Sequence, residues 1–328
     1  MNMDSTIISS RIRLARNIRG IPFTGRMTVD QKKAVCAKVK EVASAIPGYK
    51  FDYIDMENVT AIQAGSMVEE HLISVEFANN REGEGLLLDR KHNVSIMINE
   101  EDHLRIQVLG RGEKLAALYE TASGIDDALD EKLHFAFSEK LGYLTHCPTN
   151  LGTGLRASVM MHLPALHESG LINKIINTVS QVGLTVRGMY GEGSEPAGCI
   201  YQVSNQITLG ISEKDTIERL EDIARQIARN EAALREKMLE NISIEDRVFR
   251  SYGIAREARI MSSQEFMKLM SDIRLGIEGG LLNLDTKVLD DLCIKVQPYT
   301  LMLYGGEGME IRQRDIKRAD TVRDKLKE

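Results

Sequence analysis

The sequence predicts an α+β domain over residues 1–220 followed by an all-α domain over residues 221–328. Three observations carry that division. Short runs rich in β-branched residues recur in the first part, helix-start signals interrupt them, and strand signals nearly vanish once the composition changes near residue 212.

In chain order, Ser9-Ser10-Arg11-Ile12-Arg13-Leu14-Ala15-Arg16 alternates polar and apolar residues. As a strand it would aim Arg11 and Arg13 at one face. Thr28 with Gln31 forms a capping box ahead of a helix over Lys32 to Ile46. Val94 to Ile98, Leu104 to Leu109, Leu184 to Val186 and Ile200 to Val203 read as strands of one sheet, and Leu171 to Val182 has apolar residues at helical spacing. Beyond Ser212, with Asp215 completing a helix-start signal, Ile217 to Leu239 keeps apolar positions three and four apart. Ser263 to Glu278 and Thr286 to Val296 are further helices, with Gly279 and Gly280 as the stop between them. The tail from Glu307 to Glu328 is a charged, helix-like stretch.

The 328 residues are 43% hydrophobic and 27% charged, enough for a large core. No run approaches the ~18 apolar residues of a membrane span, and Met1 to Thr6 lacks the basic-then-apolar order of a secretory signal. The expectation is a cytoplasmic protein that does not act on a membrane. Cys36, Cys147, Cys199 and Cys293 are scattered, with no paired spacing for zinc or a disulfide framework, so reduced thiols are expected. A net charge of -6 speaks against direct binding of nucleic acid through overall charge.

No G-x-x-x-x-G-K-[ST] loop and no protein-kinase catalytic loop is present, so a phosphate site has to be built another way. Arginine forks are the alternative, being permanently charged and donating paired hydrogen bonds to anionic oxygens. Arg11, Arg13, Arg105 and Arg187 stand at or beside predicted strands, and Arg156 comes just after Cys147 to Gly154. Any one of them alone would be read as a solvated surface group.

Together, three motifs give them a context. Asn99-Glu100-Glu101-Asp102-His103-Leu104-Arg105, Cys147-Pro148-Thr149-Asn150-Leu151-Gly152-Thr153 and Arg187-Gly188 with Gly191-Glu192 resemble the phosphagen kinases, the family of creatine and arginine kinases, in order and spacing. The resemblance implies an antiparallel sheet flanked by helices, with the active site on one face. It implies ATP as phosphoryl donor, with Mg2+ held mainly by the nucleotide and no dedicated protein ligands for the metal. Arg11, Arg13, Arg105, Arg156 and Arg187 would clamp the phosphates, and His103 would contact the nucleotide. Glu101 and Glu192 would grip the guanidinium acceptor, Glu101 as base, and Cys147 would be the reactive thiol beside it. Two departures stand out: Met160 where creatine and arginine kinases have a nucleotide-contacting histidine, and Tyr190 where they have an arginine.

The creatine and arginine kinases also carry a helical domain ahead of the segment equivalent to Ser9-Ser10-Arg11, where eight residues precede Ser9 here. An open acceptor site suited to a protein-borne arginine is the expectation. The helical tail, with Arg314-Asp315-Ile316-Lys317-Arg318-Ala319, resembles that of the bacterial protein-arginine kinases (McsB type). That likeness implies an allosteric phosphoarginine pocket at Arg314, Asp315 and Arg318, and a homodimer. It further implies a zinc-binding activator protein, and a phosphoarginine mark that directs clients, including a stress repressor, to the Clp protease. The rival readings are a kinase of free arginine or another small guanidine, and a non-catalytic phosphoarginine-binding adaptor.

Overall fold

The computed structural model describes residues 6–112, 114–188, 197–306 and 308–327. Its first part contains β1 (Ile7–Arg16), α1 (Val29–Ser44), β2 (Asp52–Asp55), α2 (Ala61–Glu69), α3 (Val75–Asn79), β3 (Gly85–Asp89), β4 (Val94–Ile98), β5 (Leu104–Gly110) and α4 (Leu115–Leu133). It continues through β6 (Phe137–Ser138), β7 (Gly142–Tyr143), β8 (Leu155–His162), α5 (Pro164–Glu168), α6 (Ile172–Ser180), β9 (Leu184–Gly188) and β10 (Ile200–Asn205). Helices follow: α7 (Glu213–Leu239), α8 (Ile242–Glu257), α9 (Ser263–Glu278), α10 (Thr286–Lys295), α11 (Pro298–Gly305) and α12 (Ile311–Lys327).

Among the described residues, eight strands form one sheet in the order β2-β3-β4-β5-β1-β8-β10-β9. Every neighbouring pair is antiparallel. Strand alternation gives this sheet two unlike faces. One carries Ile12, Leu14, Ile96, Ile106, Ala157, Val159 and Val203, all buried beneath α1, α4, α6 and α7. Truncating a fully buried member such as Ile12 to alanine would destabilise by about 2–5 kcal/mol. Facing pairs on the other side are Arg13 with Arg156, Arg11 with Ser158, and Gln202 with Arg187.

Two bodies cover the ends of that second face. Over β3 and β4, the helices α2 and α3 bury Phe77 against Leu86, Leu88 and Met97. At the start of β1 and the end of β8, the C-terminal helices pack Met267 and Met270 near Ile8, Met160 and Ile200. The polar strip between them is left for a site.

The starts of α1 and α7 follow their sequence signals, and α9 is capped in the same way. Thr28 and Gln31 make the full capping box, Ser212 accepts from Asp215 NH, and Ser262 accepts from Glu265 NH. Residues 220 and 221 lie inside α7, whose buried side chains as far as Ala228 belong to the sheet's core, while Met238 and Leu239 lean on the core of the C-terminal helices. A buried ionic joint fixes α7 to α9: Arg235 pairs with Glu278, and Arg274 reaches both Glu278 (3.0 Å) and Asp290. His162 Nδ1 approaches Glu278 at 3.7 Å, and its Nε2 meets Ser271. Among the described residues no helix is long and apolar enough to cross a membrane.

Candidate active site

The strands bring the predicted arginines together. Arg11 and Arg13 lie two apart on β1, Arg156 faces Arg13 across β8, Arg105 faces Ala15 across β5, and Arg187 lies on β9 beyond Gln202 of β10. Facing residues on paired strands sit about 5 Å apart at Cβ, so like charges are held side by side.

The side-chain partners of Arg11 are neutral. Arg11 donates to Gln202 Oε1 at 3.1 Å and to Ser158 Oγ at 3.4 Å. Arg13 Nε is buried with no hydrogen-bond partner among the described residues. Removal from water, then the nearby charges of Arg105 and Arg156, brings the Arg11 guanidinium down to about 10. Arg13 is pushed well below its ordinary value, by burial first and then by Arg11, Arg105 and Arg156. A surface that sets guanidinium groups side by side fits a polyanion such as a nucleoside triphosphate.

Arg105 stands at the border between the positive strip and an acidic one. Its Nε meets Glu100 at 2.8 Å, and its Nη2 reaches Glu101 at 3.4 Å. Glu100 also takes the hydroxyl of Ser74, and its carboxyl is pushed up by burial despite the charge of Arg105. Glu101 is more open, with a side chain 35% exposed, and its backbone carbonyl is fixed by Thr24 Oγ1 at 2.6 Å.

Asp102 ties this turn to the cysteine loop. One of its oxygens, Oδ1, accepts from Asn17 Nδ2 and from the backbone NH of His146, each at 2.6 Å. Asn17 in turn donates to Leu144 O and accepts from His103 NH. The ends of β1, the β4–β5 turn and the loop before Cys147 therefore share one polar knot, which holds Glu101 and Cys147 on neighbouring segments. Cys147 is partly exposed, with Sγ 3.0 Å from Thr149 Oγ1, and its carbonyl accepts from Thr145 Oγ1.

His103 stands apart from the arginine strip. It is fully buried, its Nδ1 accepts from Ile18 NH at 2.9 Å, and its Nε2 donates to Pro22 O at 2.8 Å. Burial pulls its pKa below the usual histidine value, and with both nitrogens spent on backbone it serves as a neutral strut for residues 18–22. Met160 faces the same side as the arginines, but it packs against the apolar core of the C-terminal helices. Glu192 and Tyr190 lie outside the described residues.

In α12, Arg318 is 1% exposed and gives its donors to Val296 O, Met261 O and Asp315 Oδ1. Arg314, one turn earlier, is only partly buried and donates to Met309 O. The sequence reading gave no role to Asn17 or Asp102. Asp102 sits inside a quoted motif, but nothing in one chain reveals which distant backbone groups a carboxylate will gather.

Comparison with known proteins agrees with this geometry. Residues 34–234 match the family model described as ATP:guanido phosphotransferase, C-terminal catalytic domain, and residues 241–328 match that of the protein-arginine kinase McsB C-terminal domain. A protein-arginine kinase of Halothermothrix orenii is 47% identical over 98% of this chain and 93% of its own length, and one of Bacillus subtilis is 45% identical over 98% and 90%. Among solved structures, lombricine kinase superposes with a TM-score of 0.64 at 26% identity, covering 70% of this chain and 67% of that one. The duplicated taurocyamine kinase of Schistosoma mansoni, at 23% identity and a TM-score of 0.63, covers 81% of this chain and 39% of that one and shares the fold. Matched by these two models along most of its length and by relatives at nearly half identity, the chain belongs to the ATP:guanido phosphotransferases and, among them, to the protein-arginine kinases.

Proposed function

We propose that this protein transfers the γ-phosphoryl group of ATP to the guanidinium group of arginine side chains in other proteins. The observation that carries the reading is the row of guanidinium groups on one sheet face, ending at Arg105 beside Glu101.

In this reading Arg11, Arg13, Arg105, Arg156 and Arg187 hold the phosphates and stabilise charge spread over the transferring oxygens. Magnesium bound through phosphate oxygens would add further neutralisation. An acceptor guanidinium, with a pKa above ~12, is a poor nucleophile, since its lone pairs are delocalised and its charge repels phosphorus acceptors. Glu101 and Glu192 would orient its planar fork, and Glu101 would take the proton as the new N–P bond forms. Cys147, on the segment tied to Glu101 through Asp102, would adjust the charge around the acceptor. His103 supports the loop in this scheme and touches no substrate.

The division into a catalytic unit over residues 1–220 and a helical unit over 221–328, with α7 as a shared strut, is part of the proposal. So is a phosphoarginine pocket at α12. Arg314 keeps donors for a phosphate there, while Arg318 fixes Asp315 from behind. The family likeness further suggests a cytoplasmic homodimer with a zinc-binding activator protein, and clients that include a stress repressor and pass to the Clp protease. Exposed Ile242, Phe249 and Ile254 on α8 supply apolar surface for self-association.

The deciding experiment incubates purified protein with Mg-ATP and an unfolded protein, beside an incubation with free arginine, and reads acid-labile phosphoarginine by mass spectrometry. Label on protein that disappears in Glu101→Ala supports the reading. Label on free arginine alone replaces it with a small-guanidine kinase, and no label on either favours the adaptor.

A further inference from the structure

Beside Glu101 and Arg105 the chain forms a recess of about 990 Å3. Its lining carries the carboxylates Glu76, Glu82, Glu84, Glu100 and Glu101. Glu100 and Glu101 are engaged by Arg105. Of the other cations at the wall, Arg81 donates to the carbonyl of Val59. Five carboxylates against Lys32, Arg81 and Arg105 leave the recess acidic on balance, beside the acceptor carboxylate.

Glu84 sets this recess apart from an ordinary acidic surface. It is 4% exposed, and its Oε2 is buried with no hydrogen-bond partner among the described residues. Its position is fixed by the main chain: its NH donates to Arg81 O, and its carbonyl accepts from Met56 NH. The neighbouring turn is pinned as well, because Asn99, at φ +66°, donates to both Gly83 O and Lys32 O. A buried carboxyl without a donor is costly to keep. Burial, opposed by Lys32 and reinforced by Glu100, lifts its pKa to about 8. The group is thus held in a place that stabilises it poorly until a cation arrives.

We propose that the recess is a second cation subsite, in which Glu84, with Glu76 and Glu82 at the rim, receives a lysine or arginine side chain one or two residues from the acceptor arginine of a protein substrate. This rests on the protein-arginine kinase reading of the site. An extended peptide advances about 3.3 Å per residue, so neighbours of an arginine held at Glu101 pass along this wall. Free arginine has no such neighbour, and the subsite would therefore act only on peptide substrates.

The test compares two synthetic peptides, each with a single arginine, flanked on both sides by lysines in one and by glutamines in the other. The expected result is a wild-type preference of about tenfold in kcat/KM for the lysine-flanked peptide, the worth of one charge-assisted hydrogen bond. In Glu84→Gln the preference should fall to about twofold, mainly through KM. Glu82→Gln, at an exposed position that does not threaten folding, should lower it by a smaller factor. Equal rates on both peptides with wild-type protein, or an undiminished preference in both variants, would overturn the subsite while leaving the kinase intact. Failure to phosphorylate arginine in either peptide or in unfolded protein would overturn both readings.

Discussion

The arginines on the sheet face and those at the joint between α7 and α9 are the same side chain in opposite surroundings. At the joint, Arg235 and Arg274 meet Glu278 and Asp290. Although burial lowers it, Arg274 ends above its ordinary pKa because Asp290 and Glu278 stand beside it. On the sheet face, Arg11 meets an amide and a hydroxyl, Arg13 lies among guanidinium groups whose repulsion Glu100 only partly offsets, and both fall below the ordinary value. Arg16, on the same strand but the opposite face, follows the joint's rule: it pairs with Asp126 at 2.8 Å and lies over the ring of Tyr143. Where Arg16, Arg235 and Arg274 each hold an acid, Arg11 holds an amide and a hydroxyl.

Breaking the joint should give the largest effect. Glu278→Ala leaves Arg235 and Arg274 short of their acid in the core and should destabilise by about 3–5 kcal/mol, read as a large fall in denaturant midpoint. On the sheet face the same logic reverses. Arg13→Gln should cost about 10²- to 10³-fold in kcat, while raising the melting temperature of the ligand-free protein, because it relieves like-charge repulsion. A variant that lost both activity and stability would make Arg13 a structural residue and end the contrast.

A smaller effect is expected from the ligand itself. Polyphosphate or ATP at a hundred times its Kd should stabilise the fold by about 2.7 kcal/mol, and Arg13→Gln should lose most of that gain.

A last test concerns pH. The Glu84 carboxyl titrates near 8 in the fold and near ~4.3 in an unfolded chain. Between those values the unfolded chain has released a proton that the folded one retains, so raising the pH favours unfolding. Glutamine cannot ionise. Melting curves of Glu84→Gln should therefore decline less than those of wild type between pH 5 and 8, and parallel curves would count against the environment assigned to Glu84.

The parts of the fold that the sequence revealed are those with local signals. Val94–Ile98 and Ser263–Glu278 match their predicted limits, and the caps at Thr28 and Ser212 mark true helix starts. β3 escaped because all five of its residues are buried, which erases alternation. α4 escaped as well. Its core stripe of Leu118, Ala122, Ile125 and Leu129 is interrupted by Gly124, Asp126 and Asp127, and Asp126 is itself buried against Arg16. The arginines of the site were legible through motifs, and β1 alternation even gave the shared face of Arg11 and Arg13. The neutral partners of Arg11 were not legible, since they are a property of tertiary neighbours. The same holds for His103, whose motif position suggested a ligand contact while its two nitrogens are spent on Ile18 and Pro22. Glu84 sits in no motif at all.

The strand order also sets a clock. β1 leaves the ribosome before the other strands of its sheet, yet it finishes in the middle, between β5 and β8. Until residue 162 has been synthesised, one of its edges has no native partner, and an unpaired edge is a template for wrong pairing. Such long-range closure is slow compared with helix formation. A nascent chain therefore carries Arg11 and Arg13 long before it carries Arg156 opposite them, and phosphate affinity should emerge only once β8 has been made. A fluorescent ATP analogue added to ribosome-stalled chains of increasing length would read this as a late, steep onset of binding, and a signal from chains ending before β8 would refute it.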